Sequence, residues 1–398
     1  MNFLRLSWHQ IAYRPLTALL SLLLMALGAG LISLLLLVRT QLDEQFTRNL
    51  NGIDLVIGAK GSPLQLILAS VYHIDQPTGN IPLRTADSIA RHPLVERAVP
   101  LSYGDSYRGY RIVGTDSGFA AMYQLRMAEG RSWAAPFEAV AGAAAARRLH
   151  LAPGDTFYST HGLAGAGEAH EAHAYRITGI LEPAGTAADQ LILTSLESIW
   201  DAHAHEAEDP AGGHEEAPRD ITAMLLKFRN PMGLFAIPRG VNAVPGLQAA
   251  LPAVEVSRLT QQLFPFAKGL QGLAVLIMLT SAVSVLISLY DRLRERRYEL
   301  ALMRVMGAAP WKLAVLLLTE ALILALTGAA AGLALSRLGL LALNTWAADT
   351  YHYTFRVWTL AAGEAWLLGG AVLLGVLAGL LPGFLAARLD LSRTLADG

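Results

Sequence analysis

The chain contains no cysteine, so disulfide bonds and thiolate metal sites are both excluded. Charged residues are also scarce, at 16% of the sequence against about 25% in an ordinary soluble domain. The formal net charge of −1 gives no electrostatic basis for binding nucleic acid. Hydrophobic residues make up 53% of the chain, and this composition predicts a membrane protein.

A phosphate-binding loop is missing too. The segment GAKGSP at residues 58–63 has glycine and lysine but does not match the pattern G-x-x-x-x-G-K-[ST]. Neither a Ser/His/Asp triad nor a pair of acids in a catalytic context stands out in the sequence. We therefore expect a non-catalytic chain, with any ATP hydrolysis carried out by a separate subunit.

Four apolar segments are long enough to cross a hydrocarbon core, which takes roughly 20 residues. They are residues 17–38, 266–289, 313–335 and 362–385. A signal peptide is the alternative for the first segment, but its apolar run is longer than the usual stretch of about 7–15 residues. No clear A-x-A cleavage site precedes the charge at Arg39. We therefore predict a retained transmembrane helix.

Basic residues are unevenly distributed between the spans. The connection at 290–312 carries Arg292, Arg294, Arg296, Arg297, Arg304 and Lys312, and the two chain ends carry Arg5, Arg14, Arg388 and Arg393. Short loops rich in lysine and arginine stay in the cytoplasm. This bias places both chain ends inside, so residues 39–265 lie outside the cytoplasmic membrane.

The remaining boundaries follow from this topology. We predict a cytoplasmic amphipathic helix at 1–16, a coupling loop or helix at 290–312, an outer loop at 336–361 and a cytoplasmic tail at 386–398. The region 39–265 opens with a helical stalk near 41–51 and then mixes short strand and helix patterns. Strands are predicted at 53–58, 107–116, 174–183, 190–195 and 221–228, and helices at 85–91, 119–124, 139–149, 196–203 and 242–251.

The predicted fold class combines these parts. It is an α-helical membrane protein with four transmembrane helices, N-in and C-in, and a large α+β extracytoplasmic domain between helices 1 and 2.

Several motifs point to one family. Residues 297–308, RYELALMRVMGA, are similar to the pattern R-x-x-E-x-A-x-x-R-A-x-G-A, and residues 382–395 follow a recurring C-terminal pattern with Leu391 where proline is common. The outer region adds RIVGTDSGF, EGRSW and YRITGILEPAGTAADQLIL in the same order. With these motifs, the chain resembles the permease subunits of MacB/FtsX-type ABC transporters, the mechanotransmission class.

The resemblance implies a function and a set of partners. It implies a bacterial inner-membrane homodimer that works with a cytoplasmic ABC ATPase, with ATP bound by that partner and no cofactor bound by this chain. ATP-driven motion would act on the periplasmic domain in efflux or extraction of a lipoprotein, an amphiphile or peptide, or a metal-linked cargo. Membrane lipids and a periplasmic adaptor or substrate-binding protein are further partners. The ATPase-coupling residues would be Arg296, Arg297, Glu299, Met303, Arg304, Gly307 and Ala308.

Two other functions fit parts of the sequence. One is a membrane-anchored periplasmic zinc sensor or binding protein, and the other is an FtsX-like regulator of a periplasmic hydrolase. A sensor would not need the signature at 290–320, and a cell-division regulator would usually carry a smaller outer domain. The coupling helix also has a simpler alternative, in which its arginines meet anionic lipid.

Polar and small residues inside the spans form a second group of candidates. Glu320 lies within the third span, where a carboxylate costs about 2.5–3.5 kcal/mol at the midplane. Because no cation appears inside another predicted span, we expect a structural hydrogen bond or a lipid-facing position rather than an ion relay. The pairs Gly328/Gly332 and Gly375/Gly379 predict close helix packing, within the protomer or across a dimer.

Histidine is the remaining chemical signal. Most of the 11 histidines lie between residues 150 and 214, interleaved with glutamates. Imidazole with carboxylate and no thiol suits Zn²⁺. The candidate ligands are His161, His170, His173, His203, His205 and His214. A solvated polar insertion without a fixed ligand set explains the same composition.

Overall fold

The computed structural model of the protein describes residues 15–50, 52–161, 169–204, 219–295, 297–307, 309–350 and 355–388. The chain divides into two compact units. The first, here called the bundle, comprises residues 1–42 and 263–398, and the second, the outer domain, comprises residues 43–262.

Within the described part of the bundle, four helices are long and apolar enough to cross a membrane. They are α1 (Pro15–Leu50), α8 (Pro252–Glu295), α10 (Pro310–Thr350) and α11 (Ala362–Ala387), with the short α9 (Arg297–Val305) between α8 and α10. Helices α1 and α8 both continue across the boundary between the two units. These helices confirm the four predicted spans.

Two helices in this unit continue beyond the predicted spans. The connection at 336–361 is helical through Thr350, and Arg337 in this part of the helix is paired with Glu364 inside the bundle. Likewise, α8 continues through Arg292 and Arg294 to Glu295, and so into the predicted coupling loop or helix at 290–312. Hydropathy marks only the part of a helix that crosses the hydrocarbon layer, whereas the helix itself ends where its backbone hydrogen bonds end.

The spans approach one another through small residues. A Cβ added to Gly332 would lie 2.8 Å from the Ala26 carbonyl oxygen and the Ala29 Cβ on α1, and one added to Gly328 would lie 2.7 Å from the Met25 Cβ. On α11, the pair Gly375 and Gly379 meets α10 in the same way, at 2.8 Å from the Ala325 Cβ and 3.0 Å from the Ala321 Cβ. Both glycine pairs therefore lie at helix contacts within one chain.

The outer domain is an α+β structure, as predicted. Its strands are β1 (Leu55–Ala59), β2 (Ile81–Pro82), β3 (Val95–Tyr107), β4 (Tyr110–Thr115), β5 (Met127–Gly130), β6 (Glu138–Ala141), β7 (Thr156–His161), β8 (Ala169–Leu181), β9 (Ile192–Ser195), β10 (Asp220–Ile221), β11 (Ala223–Phe228) and β12 (Leu247–Ala250). Its helices are α2 (Pro63–Ser70), α3 (Leu83–Ala90), α4 (Ser117–Met122), α5 (Ala143–Leu149), α6 (Leu196–Ala204) and α7 (Gly233–Ala243).

Ten of the described strands form one mixed sheet, in the order β12-β1-β11-β3-β4-β9-β6-β8-β5, with β7 paired to β3 and β8. The pairs β4/β9 and β6/β8 are parallel, and the others are antiparallel. β2 and β10 form a separate pair.

The sheet is covered on both faces, which explains the continuous apolar strands. Alternate residues of a strand point to opposite faces. Val56 of β1 joins one core cluster with Leu66 of α2, while Leu55 and Ile57 join another with Ile237 of α7. Strands buried on both faces read as unbroken hydrophobic runs, as IDLVIG does.

Two predicted helices in the outer domain are wrong in part. Residues 139–149 begin as strand β6, with the helix starting only at Ala143, and residues 247–250 of the predicted helix 242–251 form strand β12. β6 is held by β8 and β9, and β12 by β1. Pairing with neighbouring strands overrides the helix preference of these alanine-rich segments.

The glycine contact between α1 and α10 can be tested by one added methyl group. We expect Gly332→Ala to lower the thermal unfolding temperature of the detergent-solubilised protein, because the new Cβ would push backbone apart. Gly370→Ala in α11 is the matched control: its Cβ would meet nothing within 4 Å, so better helix propensity should leave stability equal or slightly higher. Equal stability of the two variants would contradict the close packing.

Candidate coupling surface and buried polar sites

The connection between α8 and α10 consists of a short helix and a tight turn. α9 ends at Val305, and Gly307 adopts a φ of +96°, a left-handed conformation that favours glycine. The Gly307 N–H donates to the Arg304 carbonyl oxygen at 3.0 Å, and Pro310 then begins α10. The sequence therefore fixes where α9 stops and how the chain turns into the third span.

Two of the predicted coupling residues face the bundle. Met303 is half-buried and packs against the cluster that contains Leu293 and Leu313. Arg304 donates from Nη1 to the Ala387 carbonyl oxygen at 3.2 Å. Both side chains therefore contact the bundle, and the role of Met303 and Arg304 in coupling stays a prediction. Arg296 and Ala308 lie outside the described residues, as do the side chains of Arg297 and Glu299.

An exposed apolar surface lies on and just after α9. It consists of Leu302 (45% exposed), Val305 (61%), Met306 (72%) and Trp311 (59%), and is called the coupling patch below. The spacing of Leu302, Val305 and Met306 by three and four residues puts them on one side of a helix. This spacing can be read from the sequence, where the three apolar residues are interleaved with arginines.

Glu320 has a buried cationic partner. The Arg292 guanidinium forms an ion pair with the Glu320 carboxylate, and their side chains are 8% and 1% exposed. This pair overturns the expectation that no span offers a cation, because Arg292 belongs to the last turns of α8 rather than to a loop. The pair connects α8 to α10 close to the connection that contains α9.

A second ion pair joins three spans. Arg337 of α10 donates to both carboxylate oxygens of Glu364 on α11, at 2.7 and 2.9 Å. Ser33 of α1 donates to the same carboxylate at 2.5 Å and lies 2.8 Å from the Ser336 hydroxyl. A bidentate arginine–carboxylate pair fixes orientation as well as distance. Sequence reasoning missed this network because Arg337 was assigned to a loop.

The predicted zinc ligands fall mostly outside the described part of the chain. His205 and His214 lie outside the described residues, and so do the side chains of His161 and His170 in β7 and β8. His173 packs its ring on that of Phe137, with centroids 4.6 Å apart. Within the described residues, no group of three or more histidine or acidic side chains is placed to hold a metal.

His203 is placed beside a carboxylate that the sequence did not single out. Its Nε2 lies 3.6 Å from Oδ1 of Asp105, whose side chain is fully buried in β3. Ser159 of β7 donates a hydrogen bond to Asp105 Oδ2. The buried hydroxyl of Tyr175 has a raised pKa because of desolvation and, to a smaller extent, the Asp105 charge.

Another buried histidine has a different environment. His73 Nδ1 lies 2.7 Å from the Tyr103 hydroxyl, and the Arg111 guanidinium stacks over the Tyr103 ring at 4.7 Å. Burial, and then the positive charge of Arg111, lower the pKa of His73 to about 3. A nearby cation disfavours both protonation and metal binding, so His73 is a neutral packing residue.

Comparison with known families identifies the class of protein. Residues 18–230, more than half of the chain, match the profile of the MacB-like periplasmic core domain, and residues 272–391 match the FtsX-like permease C-terminal. The chain therefore belongs to the MacB/FtsX family of ABC transporter permeases. It is a multi-pass protein of the inner membrane, and the outer domain is periplasmic. Members of this family generally work as dimers with a cytoplasmic ABC ATPase.

Solved structures show more distant similarity. The periplasmic region of MacB from Actinobacillus actinomycetemcomitans is 10% identical, with 54% of this chain and 97% of that chain covered and a TM-score of 0.35. The extracellular domain of the ABC-type transporter YknZ from Gram-positive bacteria is 11% identical. The match covers 50% of this chain and 98% of that chain, with a TM-score of 0.32. These scores are too low to add to the family assignment. No curated protein matches the chain significantly.

The buried pair of Arg292 and Glu320 makes a stability prediction. Glu320→Met would leave the arginine buried without its carboxylate, and we expect a loss of about 3–5 kcal/mol in the free energy of unfolding. The double variant Arg292→Met/Glu320→Met should recover most of it, because a hydrophobic pair needs no compensation. Thermal unfolding in detergent measures both.

An exposed pair serves as the control for this experiment. Arg48 and Glu44 pair at 3.0 Å with both side chains nearly half exposed, so Glu44→Gln should cost less than about 1 kcal/mol. If Glu320→Met is as mild as Glu44→Gln, the buried ion pair does not stabilise the bundle.

Proposed function

We propose that this chain couples ATP hydrolysis by a separate cytoplasmic ATPase to movement of its periplasmic domain. The observation that carries the proposal is the coupling patch, an exposed apolar surface of four large side chains beside the most arginine-rich connection of the chain. Exposed apolar surface bordered by charge is typical of a protein interface.

The proposed orientation places this surface in the cytoplasm. Both chain ends and the 290–312 connection carry the excess of arginine and lysine, which supports an N-in and C-in arrangement. The two helices that enter and leave the periplasmic domain, α1 and α8, then carry the chain through the membrane without a break.

The ion pairs support transmission of force through the bundle. α8 is tied to α10 by Arg292 and Glu320, and α10 is tied to α11 and α1 by the network around Glu364. A displacement of α9 would therefore move α8 and α10 together rather than bend the connection between them. Cargo would be handled on the periplasmic side, and export of a lipoprotein, an amphiphile or peptide, or a metal-linked molecule fits this mechanism.

The homodimer surface is proposed along α8. Gly269 and Gly272 have open space where a Cβ would be, and Leu273 and Leu276 are about half exposed. Small residues beside exposed leucines suit close approach of a second helix in a bilayer.

The coupling patch predicts a selective defect. Met306→Asp should abolish stimulation of the partner ATPase and its co-purification in a 2:2 assembly, because a carboxylate would be buried in an apolar interface. Membrane insertion and folding should be unchanged, since Met306 is 72% exposed. Native membranes extracted with detergent supply the complex for both measurements.

A second exposed methionine provides the matched control. Met232 in the periplasmic domain is 65% exposed, so Met232→Asp makes the same chemical change at a site away from the coupling patch. It should leave ATPase stimulation intact. Unaltered coupling in Met306→Asp, or equal loss in both variants, would contradict the proposed docking surface.

A further inference from the structure

We infer that the segment returning from α10 to α11 anchors the bundle in the periplasmic leaflet of the bilayer. The described part of this segment, residues 355–361, is called the return loop below. Its partner is the layer of lipid headgroups and adjoining acyl carbons. This inference is independent of the ATPase proposal.

Three large apolar side chains are exposed at this end of the bundle. Trp358 and Leu360 in the return loop are 86% and 84% exposed, and Trp366 in the second turn of α11 is 85% exposed. Exposed apolar groups that lie together mark a surface that contacts protein or membrane.

Trp366 belongs to a continuous exposed stripe along α11. The next members of the stripe are Leu373, Leu377, Leu380 and Phe384, each between 53% and 58% exposed. Steps of seven, four, three and four residues keep them on one side of a helix. Because α11 has the length and composition of a membrane span, this side faces lipid, and Trp366 continues it toward the periplasmic end.

The depth of Trp366 matches the interfacial layer of a bilayer. With a rise of about 1.5 Å per residue, Trp366 lies about 6 Å along the helix from Ala362, where α11 begins. The headgroup layer on each side of the hydrocarbon core is about 5–8 Å thick. Tryptophan is enriched in this layer, because its ring has an apolar body and a polar N–H.

The return loop is held at the same level as the start of α11. Arg337, which pairs with Glu364 in the first turn of α11, also donates from Nη2 to the Thr359 carbonyl oxygen at 3.1 Å. The Glu364 carboxylate accepts from the Ala361 N–H at 3.2 Å. Thr359 stands between the two exposed loop residues, so their side chains are presented beside the first turn of the span.

Two side-chain amides fix the other end of the return loop. Asn344 of α10 both donates to the Phe355 carbonyl oxygen and accepts from its N–H, at 2.8 and 2.6 Å. Gln41 of α1 does the same with the backbone of Arg356, at 3.1 and 2.6 Å. Each amide pairs with the backbone as a neighbouring strand would. The loop is therefore tied to two helices, and this restraint keeps its apolar side chains turned outward.

The contact with Gln41 also identifies the side of the membrane. Gln41 lies on α1 just before the outer domain, which begins at residue 43. Its hydrogen bonds to Arg356 place the return loop at the end of α1 that leads into this domain. The outer domain is periplasmic, so the lipid within reach is the periplasmic leaflet.

The test measures the depth of single fluorophores in the full chain, reconstituted in lipid nanodiscs. Because the chain has no cysteine, Trp358→Cys and Leu360→Cys can each carry one environment-sensitive fluorophore. Quenching is compared between lipids with a nitroxide near the headgroup and lipids with a nitroxide near the end of the acyl chain. We expect the first to quench about twofold more strongly at both positions, since the interfacial layer adjoins the headgroups.

Two control positions calibrate the measurement. Leu377→Cys on the α11 stripe lies about 22 Å from the start of the helix, so the nitroxide near the chain end should quench it more strongly. Phe235→Cys, at an 80% exposed position of the outer domain, should be quenched by neither lipid. Return-loop quenching as weak as at Phe235→Cys would mean that water or protein covers the loop, and the order seen at Leu377→Cys would place it in the hydrocarbon core. Either result would overturn the inference.

The amide contact with α1 is tested in the Leu360→Cys background. Gln41→Leu keeps the size of the side chain but removes both hydrogen bonds to Arg356, so we expect lower fluorescence anisotropy and a smaller difference between the two nitroxide lipids. Thr40→Val is the control, since the exposed Thr40 hydroxyl donates only within α1, to the Leu36 carbonyl oxygen. Equal anisotropy and quenching in the two variants would show that Gln41 does not position the return loop.

Discussion

A bilayer core offers no water to polar groups, so each polar side chain inside the bundle must find its partner within the protein. Arg292 with Glu320 and Arg337 with Glu364 satisfy this requirement, and each pair joins different helices. An unpaired charge at the centre of a spanning helix costs about 2.5–3.5 kcal/mol, and Glu320 lies inside the predicted third span. The two pairs therefore fix how α8, α10 and α11 lie along one another, and Ser33 extends the second pair to α1.

Close contacts at glycines also hold the helices of the bundle together. Gly332 against α1 and Gly375 against α10 bring backbones close enough for van der Waals contact, which drives association where the hydrophobic effect is absent. In such a bundle, a displacement of one helix would also move the helices that are paired with it. Such stiffness suits a family whose members generally work with a cytoplasmic ATPase.

Much of this architecture could be predicted from the sequence, because hydropathy and the distribution of arginine depend on local composition. Pairings over long separations could not. Arg292 lies beyond the apolar run of the second span, so hydropathy does not indicate its pairing with Glu320. Asp105 has no local sequence signal of its contact with His203, almost a hundred positions later in the chain. The strand β12 was hidden for a related reason, since its conformation is set by β1.

The 290–312 connection carries two kinds of sequence signal. Within the described part of the 290–312 connection, Met303 packs inward, whereas Leu302, Val305, Met306 and Trp311 are exposed apolar side chains. Charge sets the side of the membrane on which a loop stays, whereas the buried core of a protein interface is apolar and depleted of charged residues. The two signals overlap in sequence but involve different residues.

The central claim is that the coupling patch faces the cytoplasm and is covered by an ATPase. Because the chain has no cysteine, single cysteines at Met306 and Met232 can be labelled with a membrane-impermeant maleimide in intact cells and in inverted vesicles. The account predicts that Met306→Cys reacts only in inverted vesicles, and less when the ATPase is bound, while Met232→Cys reacts only from the periplasm. Labelling of Met306→Cys in intact cells with an opened outer membrane would contradict it.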